Sequence, residues 1–153
     1  MKKLATLIAL CLAFCAVCTL TACQKDPTPS VAPSVSVSVD PLPLGEVLSV
    51  TETQIVISIN EVSSSTTLIT VMEDLKERGA FTYEISSGMI LSINGKAPVG
   101  NEFWGIYTSD TELSNTAWGT ATYEGNTYGS AMFGAEDLPV IENGIYIWQI
   151  STF

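Results

Sequence analysis

Residues 54 to 79, QIVISINEVSSSTTLITVMEDLKERG, decide the fold, because two different hydrophobic patterns follow one another there. The first pattern alternates, and it predicts a half-buried strand with three isoleucines on the buried face: Ile55, Ile57 and Ile59. The second pattern has helical spacing, and it predicts an amphipathic helix with four buried residues: Leu68, Val71, Met72 and Leu75. A strand followed by such a helix favours a layer of helix on sheet.

Sequence signals at both ends of the predicted helix agree with it. Serine and threonine crowd together from Ser63 to Thr67 and offer a side-chain N-cap. Gly79 stands where a left-handed residue commonly ends a helix, and Asp74 lies four residues before Arg78, which allows an ion pair. The outer face of the helix is polar and carries Thr70, Glu73, Asp74 and Glu77.

The chain after Gly79 reads as strands and turns. Residues 81 to 85 alternate, and MILSI, residues 89 to 93, leads into Asn94-Gly95, a strong type I′ hairpin signal. Four further segments are predicted strands: residues 102–107, 120–123, 127–132 and 145–151. The predicted fold is therefore α+β over residues 46–153, a single helix packed on a mostly antiparallel sheet, of which a β-grasp-like arrangement is the simplest instance.

The first 22 residues have the build of a bacterial secretory signal. Lys2 and Lys3 form a short positive region, and an almost unbroken apolar run extends from Leu4 to Leu20. The sequence LTAC, residues 20 to 23, resembles the lipobox of bacterial lipoproteins, which implies lipidation of Cys23. We therefore expect a protein anchored through Cys23 to the outer face of the cytoplasmic membrane, within the cell envelope. The alternative is a plain cleaved signal followed by a chance cysteine.

A proline-rich stretch separates this anchor from the predicted domain. Five of the seven prolines lie between Gln24 and Gly45, where they repeatedly block regular strand pairing. Val35, Val37 and Val39 alternate with serine, but they are flanked by prolines and are interpreted as linker. Residues 23–45 are therefore predicted to be an extended tether that ends where the domain begins at residue 46.

The charge of the chain excludes one class of partner. Removal of Lys2 and Lys3 with the signal leaves four bases against 16 acids, a formal charge of −12. Nucleic acid is excluded as a partner, because binding it needs clustered lysine and arginine. The acidic surface serves solubility or, alternatively, attracts a cationic partner.

The residue inventory also excludes several kinds of catalytic and metal site. The sequence contains no histidine, and all four cysteines lie within the first 23 residues, so the predicted mature domain has neither. Histidine-dependent triads, Cys-His pairs and ordinary zinc sites are therefore impossible. Acidic residues occur in close pairs, but they lack the D-x-D-x-D-G spacing of a calcium loop: Glu73-Asp74, Asp110 with Glu112, and Glu136-Asp137. No pair is placed in a common cleft by the sequence, so we expect neither a cofactor nor an enzyme.

Aromatic side chains are the strongest contact groups that remain. Five of them are the predicted ligand-binding residues: Trp104, Tyr107, Trp118, Tyr123 and Tyr128. Trp104 and Tyr107 have opposite phases on one predicted strand, so at least one should face outward or toward the segment from Ser109 to Tyr128. Trp118 lies in a stretch rich in glycine, asparagine and threonine, interpreted as a display loop, although the residue could instead tuck under that loop. Trp148 is predicted to be a core residue.

The order of motifs resembles a known family. TTLITVMEDLKERG, GMILSINGKAPVG, FWGIY and IYIWQIS follow one another between residues 66 and 151. This series resembles a lipoprotein domain of unknown function that is related to the C-terminal domain of transcobalamin and intrinsic factor. The resemblance covers roughly residues 54–153 and implies a small-molecule ligand of the corrinoid type. The chain differs from the family in carrying the long insertion Ser109–Tyr128.

Two functions from different classes are compatible with these observations. In the first, the domain binds a small molecule through an aromatic face, and the family resemblance implies a corrinoid-like one. In the second, it is a non-enzymatic interaction module of the cell surface that contacts an envelope protein or polymer. The two differ in what the insertion does, because a ligand site needs an enclosed cavity whereas a contact surface needs a flat one.

Overall fold

A computed structural model describes residues 41–153, which contain eight strands and one helix. The elements are β1 Gly45–Val50, β2 Gln54–Ile59, α1 Leu68–Glu77, β3 Tyr83–Ser86, β4 Met89–Ile93, β5 Glu102–Thr108, β6 Ser114–Tyr123, β7 Asn126–Ala131 and β8 Ile145–Thr152. The predicted signal peptide, Cys23 and the tether up to residue 40 lie outside the described residues.

Six of the strands form one sheet in the order β1-β2-β8-β5-β7-β6. Each neighbouring pair in it is antiparallel, and β3 and β4 form a separate antiparallel hairpin. The α+β prediction, with one helix and a mostly antiparallel sheet, is confirmed at this level. The Asn94-Gly95 turn is also confirmed, since both residues have the positive φ angles that a type I′ turn requires.

The first face of the sheet carries the main core. In the sheet register Trp148 of β8 lies between Ile55 of β2 and Ile106 of β5, so the three side chains form one cross-strand row. Helix α1 packs on this face, and the residues predicted for its apolar stripe are all buried: Leu68, Val71, Met72 and Leu75. Burial of each such side chain contributes about 1.5–3 kcal/mol to stability.

The ends of α1 are held in two different ways. Thr67 is the N-cap residue but its hydroxyl makes no capping bond, so the predicted side-chain cap is wrong. The first helical N–H groups instead donate to the backbone of the segment after β7, Leu68 N to Leu138 O and Ile69 N to Ala135 O, both at 2.9 Å. The predicted end at Gly79 is confirmed, with a φ of 74°, and the Asp74–Arg78 ion pair is present at 2.9 Å.

The second face of the sheet is also covered, which the sequence did not indicate. Strands β6 and β7 form a hairpin, the β6–β7 arm, whose residues Ala121 and Tyr128 pack with Val56 of β2 and Ile147 of β8. Gln54 of β2 also donates to the carbonyl of Thr122 in the arm, at 3.2 Å. The prediction of a half-buried β2 is therefore wrong, because the arm buries the second side of the strand.

The segment predicted as a display loop is largely strand. β6 begins at Ser114, well before the strand predicted from residue 120, and it pairs with β7 along the arm. Within the part of the chain that the structure describes, β7 pairs with the rest of the sheet only at Tyr107 and Thr108 of β5. The arm is thus attached to the sheet at a short junction and then crosses its second face.

The folded contacts begin before residue 46. β1 starts at Gly45, and Leu44 packs against the main core while its N–H donates to the carboxylate of Asp74 at 3.0 Å. The Arg78 guanidinium donates to the carbonyl of Pro41 at 2.9 Å. The last residues of the predicted tether therefore contribute hydrogen bonds and an apolar side chain to the domain.

Candidate functional site

Trp118 lies on a bulge of the edge strand β6. Asn115 pairs with Ser130 and Thr120 with Gly129, so the four residues from Thr116 to Gly119 have no partners on β7. This segment is called the Trp118 bulge below. The Trp118 side chain is 64% exposed. The alternative that it tucks under its own segment is therefore wrong, and the indole is available to a partner.

The Trp118 bulge rests on the buried ring of Tyr107. A Cβ atom on Gly119 would lie 3.6 Å from that ring, and Gly119 has a φ of 135°, where a larger residue is strained. On the other side, a Cβ on Gly105 would lie only 3.2 Å from the same ring. The ring is held between the two glycines, and its hydroxyl forms a 2.7 Å hydrogen bond with the Ser151 hydroxyl. The exposed indole thus stands next to a fixed support.

The two remaining tyrosines of the predicted site lie along the arm. Tyr128 is buried in the small cluster of the second face, and Tyr123 is half-buried at the edge of that cluster. Partial desolvation, followed by the nearby carboxylate of Glu124, raises the pKa of Tyr123 above its ordinary value. Both side chains support the arm, and Tyr123 stays an uncharged phenol at neutral pH.

Trp104 does not belong to this group. It is only 6% exposed, it lies in the main core on the first face, and its indole N–H donates to the carbonyl of Lys96 at 3.1 Å. The opposite phases predicted for Trp104 and Tyr107 place them on opposite faces, and Tyr107 faces the insertion as expected. The single aromatic face is therefore corrected to one exposed residue, Trp118, with Tyr107, Tyr128 and Tyr123 supporting the arm.

The insertion lies flat on the sheet. The space beneath it is filled by Tyr107, Ala121 and Tyr128 packed on Val56 and Ile147. Four cavities on residues 41–153 lie elsewhere, since the residues that line them are all outside Ser109–Tyr128. The arm therefore presents a surface there, and not an enclosure.

The acidic residues have different local surroundings. The Asp110 carboxylate accepts the backbone N–H of Glu112 at 2.9 Å, which is a loop-stabilising bond. Glu73, Glu77 and Glu84 line an open groove beside α1, where the Lys76 ammonium stands 4.6 Å from the centre of the Tyr83 ring. Within residues 41–153 there is no group of three or more histidine, cysteine or acidic residues arranged to hold a metal ion. The same part of the chain contains no helix that is long and apolar enough to span a membrane.

One feature of the first face was missed by the sequence reasoning. Trp148 is a core residue, as predicted, but its indole Nε1 is buried without a hydrogen-bond partner among the described residues. Trp148 and Trp104 both line a cavity of about 200 Å³. The sequence identifies Trp148 as buried but carries no signal that its donor lacks an acceptor.

Comparisons with protein-family models, with curated proteins and with solved structures found no match. The resemblance to the transcobalamin-related domain therefore stays a prediction that rests on the short motifs quoted above.

Proposed function

We propose that this protein is a lipid-anchored, extracytoplasmic interaction module that contacts an envelope protein or polymer through the Trp118 bulge. The observation that carries the proposal is the exposed indole of Trp118 on a segment fixed against the buried ring of Tyr107. An indole side chain has only two side-chain torsions, so it loses little conformational freedom when it binds and more of its contact energy remains as affinity. The proposed activity is binding, without catalysis.

The charge of the domain supports a neutral or cationic partner. Residues 46–153 hold only three bases, Lys76, Arg78 and Lys96, and Arg78 is already paired with Asp74. An anionic polymer would be repelled by such a surface, whereas an uncharged sugar face or peptide can stack on the indole. For an uncharged partner of this kind, we expect the contact to depend weakly on salt.

The flat packing of the insertion favours this proposal over enclosure of a corrinoid-like molecule by the insertion. Tyr107, Tyr128 and Ala121 occupy the space that such a ligand would need. The transcobalamin-related family and the β-grasp-like arrangement both remain proposals. The order of a β-hairpin followed by one helix packed across the sheet supports the β-grasp-like arrangement.

The anchor is tested by two cysteine variants of the full chain expressed in bacteria. Cys23→Ala should leave the protein uncleaved or release it into the medium, because the proposed acylated residue is lost. Cys18→Ala is the matched control, since Cys18 belongs to the predicted signal, and it should partition into detergent like the wild type. Equal detergent partitioning of Cys23→Ala and the wild type would contradict the proposal.

The contact surface is tested with the full-length protein in detergent and purified cell-wall sacculi. Co-sedimentation of Trp118→Ala should be at least about tenfold weaker, since a central aromatic contact is worth roughly 2 kcal/mol or more. Phe153→Ala is the matched control, because Phe153 is also an exposed aromatic residue, and it should bind like the wild type. A photo-crosslinking amino acid at position 118 tests for an envelope protein. Unchanged sedimentation together with no crosslink would overturn this contact site.

A further inference from the structure

We propose that an extended, positively charged peptide segment of a partner protein binds in the open groove between α1 and β3, where it pairs with the edge of β3. This groove, called the β3 groove below, has a volume of about 950 Å³. Three residues of α1 and three of β3 line it: Glu73, Lys76, Glu77, Tyr83, Glu84 and Ile85. None of them belongs to the Trp118 bulge, so the proposal is independent of the proposed function.

The edge of β3 is the first observation. Among the described strands β3 pairs with β4 alone, in a separate two-stranded sheet. The N–H of Asn94 donates to the carbonyl of Thr82 at 2.8 Å, so the backbone of Thr82 faces the β4 side and that of the next residue, Tyr83, faces away from it. The Tyr83 carbonyl accordingly accepts the Lys76 ammonium of α1, at 3.3 Å. β3 therefore turns an edge without a neighbouring strand toward the groove, and such an edge can accept a peptide as an added strand.

The lining of the β3 groove combines apolar side chains with an acidic rim. Tyr83 is 7% exposed within the main core, and Ile85 packs partly buried against it. Three exposed glutamates outnumber the single lysine of the lining: Glu73, Glu77 and Glu84. A segment with alternating apolar and basic side chains suits both parts, because successive side chains of a strand point to opposite faces. A second copy of this chain would instead bring its own glutamates against these.

Lys76 shows how the groove receives a cation. Its ammonium stands 4.6 Å from the centre of the Tyr83 ring and donates to the carbonyl of the same residue. A lysine of a bound peptide can make both interactions. Because Lys76 is an exposed residue with a flexible stem, its side chain can turn into solvent and leave these groups to the peptide.

The test uses a capped hexapeptide of alternating lysine and valine and its counterpart with glutamate in place of lysine. Each is titrated into the ¹⁵N-labelled full-length protein in a non-ionic detergent and followed by NMR. The lysine peptide should shift the backbone amide signals of Tyr83 and Ile85. The glutamate peptide should bind at least about tenfold more weakly, because like charges meet at the rim. Raising NaCl from about 0.05 M to about 0.5 M should weaken the lysine peptide at least about threefold.

Two N-methylated forms of the lysine peptide test strand pairing. One carries methyl groups on the backbone nitrogens of all valines, and the other on those of all lysines. Alternate N–H groups of a strand point to opposite edges, so one form should bind like the parent and the other at least about tenfold more weakly. Equal binding of the two forms would overturn the proposal.

Three variants separate the groove from the rest of the surface. Glu77→Gln should weaken the lysine peptide about threefold, whereas Glu124→Gln, the same change at the turn of the β6–β7 arm, is the matched control and should bind like the wild type. Lys76→Met removes the resident cation and should tighten binding about threefold. No amide shift at Tyr83 and Ile85, equal binding of the lysine and glutamate peptides, or weaker binding by Lys76→Met would overturn the proposal. Self-association of Lys76→Met in place of peptide binding would make a second copy the occupant, and would overturn it as well.

Discussion

The two faces of the sheet differ in how they are covered. The first face packs against α1, the β3–β4 hairpin and the segment after β7, in a cluster of 16 buried residues. Among residues 41–153, the second face is covered by the β6–β7 arm alone, in a cluster of five buried residues. Several elements therefore pack on the first face, whereas burial of the second face depends on one hairpin that pairs with the sheet over a short junction. The proposed contact residue, Trp118, belongs to that hairpin.

The largest expected effect on stability is that of an Ile→Ala substitution, made once on each face of the sheet. Ile57 on the first face and Ile147 on the second are both fully buried, at 0% exposure. Each Ile→Ala change should lower the free energy of unfolding by about 2–5 kcal/mol. Ile57→Ala should lie at the upper end of this range, because several elements pack around Ile57 and cannot all move to fill the cavity. Ile147→Ala should cost less, because the arm can relax into the cavity that this substitution leaves.

Urea denaturation of both variants measures this difference, with equal m-values as the control for a two-state comparison. A greater loss for Ile147→Ala than for Ile57→Ala would show that the arm is the more rigid cover, and would reverse the comparison.

A second expected effect concerns alkaline pH and the first face. Burial raises the pKa of Tyr146 above its ordinary value, although its hydroxyl oxygen accepts the N–H of Ile141 at 3.1 Å, which acts in the opposite direction. The unfolded chain therefore releases this proton at a lower pH than the folded one, so stability should fall as pH rises above about 10. Each tyrosine that stays protonated contributes a slope of about 1.4 kcal/mol per pH unit.

Tyr146→Phe should reduce this slope, and denaturation midpoints between neutral pH and pH 11 check it. Tyr123→Phe, on the arm, is the comparison variant, because Tyr123 also has a raised pKa but is only half-buried. A slope that depends on Tyr123 and not on Tyr146 would contradict the assignment of the effect to the first face.

The first face could be predicted from the sequence and the second could not. The apolar residues of the helix keep the helical spacing throughout, and a glycine follows the helix. Its buried residues can therefore be read directly from that spacing. The arm has no continuous alternation, because the four unpaired residues of the Trp118 bulge interrupt the pairing of β6 with β7. Val56 therefore appeared to face solvent, and the part of β6 before residue 120 appeared to be a loop.

The exposure of the candidate site residues could likewise not be predicted from the sequence. Aromatic residue type indicated which side chains could make contacts, but the exposure of Trp118 depends on the bulge and the burial of Trp104 on the β3–β4 side of the core. The position of a missing acceptor, as at Trp148, depends on every neighbouring atom. Such properties arise from long-range packing, which local periodicity does not describe.

A smaller effect is expected where the arm meets the sheet. Tyr107→Phe removes the hydrogen bond to Ser151 and should destabilise the domain by about 1 kcal/mol. Ser151→Ala should cost a similar amount, and the double variant little more than either, because both remove the same bond. Additive losses in this double-mutant cycle would show that the two hydroxyl groups are not coupled.

The smallest expected effect on stability is that of Trp118→Ala, the substitution that should weaken binding most. Trp118→Ala should change the free energy of unfolding by less than about 0.5 kcal/mol, because the side chain is 64% exposed and lies on an unpaired segment. Tyr128→Ala is the contrasting variant, since that ring is 8% exposed and its loss should cost several kcal/mol, roughly 3–5 for a buried aromatic. Thermal melts of both variants are compared with their sedimentation on sacculi. A Trp118→Ala protein that melts like the wild type but no longer sediments would show that the indole is kept for contact; a large loss of stability would instead make Trp118 a structural part of the arm.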